Sequence, residues 1–533
     1  MHFALLLVFG FCASAFPLHA AAPAPASSAI KEKAARITIP RIDFRQVRLD
    51  EALHFLSIKS RHVDPTKAGI NLVAFGMESV REILVTLRLD DAPLHEVLAT
   101  LANLTDCVIR AEPNALVFQP KDYRAEVRKW TDDDAEARAI GQRLTAITVP
   151  DVVADNFSQA FDALSKAAKA GIVPVALHAR LPVETPEERP VSIALTNLSL
   201  RDALRYLCES ADLRMRVSRH GVDLFPNRPS MSARNREWLK NLEATGDATP
   251  PVLATPADVE IFLRRNGATA ENFAAAFSIT QDAQWLDRGR KRFQDDPALL
   301  TFACAKEERA AEGRALAAHA QKADPDSVLQ WLFEAKAALA AGNAQDDLRA
   351  LREALTKPKL GMDMEWLLPQ ETRLLIEAGE EPAEAECSAV MGTGTSATLA
   401  VVALLRFKKM EMAEDERGEL GRNLVVLSNR YRNAGHPQLI ISELVLNAIE
   451  RTGLEMLPQG EIVPELRMVP SARIEQIEKR AEAIGKLTSR CLKLAESLPD
   501  KDPAALREFN RRVRADGEEK ALLWSLEQYE AKK

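Results

Sequence analysis

The stretch Val85-Thr-Leu-Arg-Leu-Asp-Asp-Ala-Pro-Leu-His-Glu-Val-Leu98 contains two hydrophobic periods in succession. Every second residue from Val85 to Leu89 is apolar, which is typical of a strand with one buried face. From Leu94 to Leu101 the apolar residues fall at i, i+3, i+4 and i+7, which is the spacing of one helix face. The stretch therefore predicts a half-buried strand that leads directly into an amphipathic helix.

The flanking residues extend this pattern to a small α+β domain over residues 36–120. A second helix pattern runs from Leu49 to Leu56 with the same spacing of apolar residues. Short strand patterns lie on both sides of that helix, and a strand pair ends the segment at residues 116–118. The predicted order is strand, helix, strand, strand, helix and a closing strand pair, which is a βαββαββ domain.

The same unit occurs a second time in the chain. Val191-Ser-Ile-Ala-Leu195 and Leu200-Arg-Asp-Ala-Leu204 match the strand and helix patterns that lie 106 residues earlier. Upstream, Ile147-Thr-Val-Pro150 matches Ile37-Thr-Ile-Pro40 with an offset of 110 residues. Fixed spacing within elements and drift in the loops is typical of duplicated domains, because loops tolerate insertions. Residues 143–227 therefore predict a second domain of the same type.

The order of elements and the Leu-x-x-Ala-Leu helices resemble the short N-terminal domain of secretins and TonB-dependent receptors. Leu49-Asp-Glu-Ala-Leu53, the stretch 85–98 and its copy from Val191 to Leu204 carry the likeness. It covers about a third of the chain, in the segments 36–120 and 143–227. Domains of this family dock other proteins in the periplasm and have no catalytic residues, so the resemblance implies protein binding and supplies no active-site positions.

Length and composition are those of a globular, multidomain protein. The chain has 533 residues and a net charge of −7, and the usual domain size predicts roughly three or four domains. Basic residues are dispersed among acids, which argues against a nucleic-acid-binding surface.

The N-terminus predicts export from the cytoplasm. Residues 3–17 form an apolar run too short to span a bilayer, and small residues follow at Ala20, Ala21 and Ala22. This is the pattern of a secretory signal peptide over residues 1–22. It predicts a mature protein in the periplasm or on the extracellular side of a bacterial envelope, with no stable transmembrane segment after cleavage. Residues 23–35 are predicted to be a flexible spacer.

The rest of the chain is predicted to be helical apart from its linkers. A linker helix is expected over residues 121–142, capped at its start by Thr131. Residues 228–254 are expected to be a second linker. From there Ala, Leu, Glu and Arg dominate, and Pro325 and Pro358 are spaced like the turns of a tetratricopeptide-type repeat. We therefore expect a solenoid-like helical-repeat domain over residues 255–458 and a C-terminal helical hairpin over residues 459–533. The apolar run 396–405 is expected to be a buried helix.

No catalytic, cofactor-binding or metal-binding pattern is found. The five cysteines after the signal are widely spaced and lack a Cys-x-x-Cys pair, so buried free thiols are expected. His95-Glu-Val-Leu-Ala99 begins like a zinc-protease motif but has Ala99 in place of the second histidine. The predicted sites are therefore catalytic none, cofactor none and metal none.

Two hypotheses for function follow. The first is a non-enzymatic envelope adaptor, whose partners would be a secretion channel, a TonB-dependent receptor or an envelope regulator. It would bind through exposed strand edges at 85–89 and 191–195, or through the exposed sides of the helices that begin at Leu94 and Leu200. Its predicted protein-binding residues are Val85, Leu87, Leu89, Val191, Ile193 and Leu195. The second is an envelope enzyme or glycan-binding protein with its site in the helical half, which surface clustering of Trp285, Trp331 or Trp366 with carboxylates would favour.

Overall fold

The computed structural model describes residues 27–76, 80, 82–123, 129–181, 190–229, 234, 237–238, 240–241, 244–245, 251–360, 366–390, 413–433, 439–497 and 503–530. The predicted signal peptide, the apolar run 396–405 and much of the linker 228–254 lie outside these residues. The chain combines α-helices with small β-sheets, and the helices lie mostly in its C-terminal half. By internal contacts it divides at residue 228 into two units, which we call the α+β unit and the helical unit.

The α+β unit contains the two sequence repeats. Its helices are α1 (Ser27–Arg36), α2 (Leu49–Val63), α3 (Leu94–Leu104), α4 (Ala135–Ala146), α5 (Phe157–Ala170) and α6 (Leu200–Ser210). Its strands are β1 (Thr38–Arg48), β2 (Leu72–Ala74), β3 (Leu84–Pro93), β4 (Cys107–Ala111), β5 (Leu116–Pro120), β6 (Lys129–Thr131), β7 (Thr148–Val149), β8 (Val152–Asn156), β9 (Leu177–Ala179), β10 (Pro190–Leu195), β11 (Leu198–Ser199), β12 (Leu213–Ser218) and β13 (Gly221–Pro226).

One five-stranded sheet belongs to both repeats. Its strand order is β4-β5-β2-β10-β8, so three strands come from the first repeat and two from the second. Along β2, Leu72 and Ala74 face one hydrophobic core, and Val73 faces the other. The middle strands of the sheet therefore lie between two cores, which explains why all of Leu116–Pro120 is buried.

The remaining strands form smaller sheets. β1 and β3 make a two-stranded antiparallel ribbon, β7 pairs with β11, and a four-stranded sheet has the order β6-β12-β13-β9. The ribbon lies over the hydrophobic core that contains Leu72 and Ala74, which we call the first core. In this core α2 and α3 bury the helix faces that the apolar spacing predicted. The helices predicted at 49–56 and 94–101 are thus confirmed.

The predicted spacer over residues 23–35 is helical from Ser27 onward. Helix α1 packs against α3 and buries Ala34 completely. Lys33 of this helix lies 3.1 Å from Asp64, whose carboxylate also accepts the backbone N–H groups of Thr66 and Gly69. The ion pair of Lys33 with Asp64 ties α1 to the loop after α2, and together with the packing on α3 it stabilises a helix in the segment predicted to be a spacer.

The acidic run after Trp130 has a different role from the one predicted. Thr131 lies in strand β6, and helix α4 begins at Ala135 with Asp134 as its N-cap, accepting the N–H of Ala137 at 2.8 Å. Asp132 instead forms a bidentate ion pair with Arg216, with Nη2 at 2.7 Å and Nε at 2.9 Å. Thr131 is therefore not the cap, because the chain first pairs as a strand with β12.

In the helical unit the described helices include α7 (Pro256–Asn266), α8 (Ala270–Thr280), α9 (Ala283–Arg292), α10 (Pro297–Lys306), α11 (Ala310–Ala323), α12 (Val328–Ala340), α13 (Ala344–Thr356), α14 (Leu368–Glu377), α15 (Glu414–Arg432), α16 (Ile440–Glu455), α17 (Pro470–Ser497), α18 (Pro503–Asp516) and α19 (Glu518–Glu530). Helix α7 begins with a capping box between Thr255 and Asp258 and has a proline in its first turn. Neighbouring helices along the chain pack on one another, as α12 does on α13 and α15 on α16.

The C-terminal region has three helices rather than the predicted hairpin of two. Helix α19 follows α18 after Gly517, whose φ is +89°, and packs against it. It buries Ala521, Leu522 and Leu526 in a core shared with Ile484 of α17. The hairpin prediction is wrong because the apolar positions of α19 complete this core.

Candidate functional site

The outer edge of β3, which we call the open edge, has no strand partner within the described residues. β3 pairs only with β1, from Thr38 opposite Pro93 to Arg48 opposite Leu84. The partner strand β1 is a poorer docking edge, because it contains Pro40 and a bulge near Gln46, whose φ is +53°. β3 is therefore the better template for an incoming strand.

The backbone groups of Thr86 and Arg88 point out from this edge. The N–H of Leu49 donates to the carbonyl of Ile83 at 3.0 Å, so Ile83 faces the β1 side. The backbone N–H and C=O groups of successive residues in a strand point to opposite sides. Those of Val85 and Leu87 therefore also point toward β1, and those of Thr86 and Arg88 point away from it. The side chains of Thr86 and Arg88 are exposed, and their N–H and C=O groups are available to another strand.

The predicted residues Val85, Leu87 and Leu89 point inward. Val85 is buried, and Leu87 and Leu89 are half-buried against the first core. The alternation predicted for this strand is confirmed. These three side chains hold the strand on the core. A partner at the open edge would instead contact the backbone and side chains of Thr86 and Arg88.

The expectation that 191–195 is also an exposed edge is wrong. Strand β10 lies between two neighbours: Ile193 is opposite Val73 of β2 on one side and Ala154 of β8 on the other. Val191, Ile193 and Leu195 are each at most 2 % exposed. The edge of the second repeat that corresponds to the open edge is therefore already occupied, by a strand of the first repeat.

We call the β2–β10 pairing and its flanking contacts the repeat joint. Asn71, which precedes β2, closes one end of it. Its Oδ1 accepts the N–H of Thr196 at 2.7 Å, and its Nδ2 donates to the carbonyl of Thr196 at 3.3 Å. Asp151, which accepts the hydroxyl of Thr196, lies 3.4 Å from Arg61 of α2. Side chains thus extend a short strand pairing.

A partly buried ionic cluster also belongs to the repeat joint. Glu112, in the loop between β4 and β5, accepts hydrogen bonds from Arg205 at 2.7 Å and from the hydroxyl of Tyr206 at 3.1 Å. The guanidinium of Arg205 lies 4.3 Å from the ring centre of Tyr206. Burial raises the pKa of the neighbouring Glu209 carboxyl above its usual range. The cluster links the two repeats and places no exposed nucleophile or general base in a cleft.

Replacing Glu112 with alanine is expected to loosen the repeat joint, because Tyr206 is fully buried and would lose its acceptor. Loss of one member of such a cluster typically costs about 2–4 kcal/mol. Hydrogen exchange over residues 72–74 and 190–195 should therefore become faster in E112A than in wild type. The exposed Glu136 supplies the control variant E136A, which should leave exchange in both strands unchanged. Equal exchange in E112A and wild type would show that the cluster does not hold the repeats together.

The two helices predicted to offer binding faces differ from each other. Helix α3 exposes His95, Glu96, Ala99 and Asn103. Helix α6 is buried on nearly all sides, because it packs on α4, α5, β10 and β12. Only the first of the two predicted helix faces is therefore available for a partner.

The tryptophans predicted as possible ligand contacts do not gather on a surface. Trp285 is 1 % exposed within the core of the helical unit. Trp331 is half-buried with the amine of Lys357 at 4.9 Å from its ring centre, and Trp366 is 37 % exposed. Burial of Trp285 in the interhelical core weakens the hypothesis of a glycan-binding site in the helical half.

Clustered metal ligands and exposed thiols are absent from the described residues. There, no three histidine, cysteine, aspartate or glutamate side chains come together as metal ligands would. Cys107, Cys208, Cys304, Cys387 and Cys491 are buried free thiols, as predicted. Within the same residues, none of the helices combines the length and apolar character needed to cross a bilayer.

Sequence reasoning missed the residues of the repeat joint. A signal was present, because Asn71, Glu112 and Arg205 stand where the other repeat has Ala176, Ser218 and Ala99. Polar residues that break the equivalence of two repeats mark the surface at which the repeats meet.

Comparison of the chain with protein-family models, with curated proteins and with solved structures gives no match.

Proposed function

We propose that this chain is a non-enzymatic adaptor of the bacterial periplasm or envelope that binds other proteins through its α+β unit. In this proposal each repeat is a βαββαββ domain of the secretin and TonB short N-terminal type. The helical unit is a solenoid-like array of tetratricopeptide character that offers a second binding surface. The partner is a secretion channel, a TonB-dependent receptor or an envelope regulator, and the signal peptide delivers the protein to it.

The observation that carries this proposal is the difference between β3 and β10. The two strands are equivalent in sequence, and β10 accepts an antiparallel strand on its outer edge through Ile193 and Ala194. The corresponding edge of β3 has no strand partner among the described residues. An edge that binds a strand in one repeat, and is open in the other, supports a docking function by strand addition.

The surroundings of the open edge favour a selective interaction. The outward side chains of the ribbon are charged, with Arg41, Asp43 and Arg45 on β1 and Arg88 and Asp90 on β3. Charged residues on an edge disfavour indiscriminate pairing with apolar strands. A partner strand would gain affinity from backbone hydrogen bonds and specificity from side chains that complement these charges.

Replacing Arg88 with proline is expected to abolish partner binding. Proline removes the outward N–H of this position, and the exposed side chain of Arg88 means that no core contact is lost. The matched control R88A loses the same charge but keeps the N–H, so it should retain most binding. The measurement is recovery of defined envelope proteins with the full chain as bait, quantified for wild type, R88P and R88A. Circular dichroism should show that both variants are folded.

Full binding by R88P would exclude strand addition at the open edge. Equal loss in R88P and R88A would assign the effect to the arginine side chain instead of to the strand edge. Capture of partners that depends on the helical unit alone would move the proposed binding site to that unit.

A further inference from the structure

We propose that the open edge of one molecule binds strand β9 of a second copy of the same chain, in the arrangement of the repeat joint. This inference rests on the proposed function and names a partner for its strand edge. It assigns an antiparallel pairing in which His178 of one copy lies opposite Leu87 of the next, and Leu177 lies opposite Arg88. The second repeat of one copy would thus contact the first repeat of the next copy in the same way as the first repeat contacts the second repeat within one chain.

The first support is that β9 is the counterpart of β2, the strand that docks within the chain. In the first repeat, Leu116 N–H donates to the carbonyl of Asn71, and Phe75 N–H donates to the carbonyl of Phe118. The second repeat has the same two bonds: Val222 N–H donates to the carbonyl of Ala176, and Arg180 N–H donates to the carbonyl of Leu224. β2 is therefore equivalent to β9 residue by residue.

The second support is that neither edge has a strand partner among the described residues. Strand β9 pairs in parallel with β13, and its other side has no strand partner in the part of the chain that the structure describes. Ala179 is exposed, and Leu177 and His178 are half-buried. By the alternation seen in β2, the backbone groups of Leu177 and Ala179 point away from β13. They would meet the outward groups of Arg88 on β3.

The third support is charge complementarity at the contact beside the strands. In the repeat joint, Nδ2 of Asn114 donates to Oδ2 of Asp202 at 3.2 Å. The loop 112–115 corresponds in length and pairing to 218–221, so His220 takes the place of Asn114, and Glu96 takes the place of Asp202. Glu96 is exposed and His220 is partly exposed. An imidazole facing a carboxylate preserves this contact between copies.

The remaining substitutions make the contact between copies weaker than the internal joint. Ser218 would face Ala99 and Thr100 where Glu112 faces Arg205 and Tyr206. The clamp of Asn71 on Thr196 is lost, because its counterparts are Ala176 and Asp90. Arg88 takes the place of Ala194 beside the covering helix, and Lys169 and Arg41 take the places of Arg61 and Asp151, so the contact between copies is weaker than the internal joint. We expect self-association that depends on protein concentration.

The symmetry of this contact determines the kind of assembly. β9 and β3 are different surfaces, so the contact is head-to-tail and each molecule keeps one open β3 and one open β9. Association by such a contact proceeds to longer chains or to a ring, in contrast to a two-fold dimer, which stops at two. The sedimentation coefficient should rise continuously with concentration.

The test uses cysteine pairs in the full chain. R88C and L177C are made in separate molecules and mixed under mild oxidation. Directly opposite residues of antiparallel strands are about 4.5–5.5 Å apart at Cα, which a disulfide can span. The control T86C places the thiol two residues along the same strand, outside that reach. We expect the R88C–L177C pair to give cross-linked dimer at least about tenfold faster than the T86C–L177C pair. Mass spectrometry should identify the disulfide-linked peptides that contain the two substituted positions.

A second measurement tests the charged contact without new cysteines. Sedimentation velocity of E96R and of H220E should each show weaker self-association than wild type. The double variant in one chain should recover it, because the charges are then exchanged. R88P should abolish association, and R88A should reduce it only slightly.

The outcomes separate this inference from the proposed function. Register-specific cross-linking with rescue by the charge exchange supports it. A monomer at all concentrations, with binding of envelope proteins that is lost in R88P, overturns the inference and leaves the adaptor function standing. If R88P keeps both self-association and partner binding, the inference and the proposed docking at the open edge are both overturned.

Discussion

Gly453→Ala is expected to lower the free energy of unfolding of the helical unit by about 1–3 kcal/mol, although alanine is the better helix former. Helices α15 and α16 approach closely where Gly421 and Gly453 face each other. A Cβ on Gly453 would lie 2.6 Å from the carbonyl oxygen of Gly421 and 3.0 Å from Cβ of Leu424. Both atoms belong to a helix backbone or its first side-chain carbon, so neither can move unless the helices separate.

The same chain contains a matched control. A Cβ on Gly485, inside helix α17, would meet no atom within 4 Å. G485A should therefore stabilise the unit by about 0.5–1 kcal/mol, the usual gain for this exchange in a helix. Thermal or urea unfolding of G453A, G421A and G485A is the measurement. Stabilisation by all three would show that α15 and α16 are farther apart than the structure has them.

Local sequence patterns predicted the elements of the α+β unit but not the state of its strand edges. The spacing of Leu49, Ala52, Leu53 and Leu56 determines which face of α2 is buried, because burial acts on side chains. Strand pairing acts on backbone groups in the plane of the sheet, and every residue except proline has these groups. The patterns of 85–89 and 191–195 are therefore alike, although one strand has a free edge and the other does not.

The difference between these strands is encoded in their outward residues. Ala194 is 1 % exposed on the face of β10 that packs beside α2, while its counterpart Arg88 is exposed to solvent. A small residue fits closely where a helix of the same chain covers the strand, and a charged residue suits a strand that faces solvent in the single chain. Reading the two repeats against each other at such positions would have located the repeat joint. Neither repeat taken alone could have located the joint, because both repeats fit the same domain pattern.

Replacing Asp347 with asparagine is expected to change how the stability of the helical unit depends on pH. Asp347 lies in the first turns of α13 at 0 % exposure, and neither carboxylate oxygen has a hydrogen-bond partner among the described residues. Burial raises the pKa of this carboxyl from 3.8 to about 8. The folded protein therefore binds a proton that the unfolded chain releases between these two values.

The sign of the effect follows from that proton. Stability from this group is complete below pH 3.8, falls as the pH rises toward 8, and is constant above pH 8. Asparagine does not titrate, so D347N should be close to wild type near pH 4 and more stable near pH 8–9. The upper bound of that gain is on the order of 5 kcal/mol, and partial relaxation around the ionised carboxylate will reduce it.

Asp346 gives the control for this prediction within the same helix turn. Its side chain is 36 % exposed and lies 3.0 Å from Arg314. An exposed ion pair contributes at most about 1 kcal/mol, so D346N should change the free energy of unfolding only slightly. The measurement is urea unfolding of wild type, D347N and D346N from pH 4 to pH 9. Parallel curves for wild type and D347N would show that Asp347 is ionised in the folded protein, and hence that water or a cation reaches it. A difference that widens with pH would establish Asp347 as a neutral acid in the interhelical core, packed there as part of the structure.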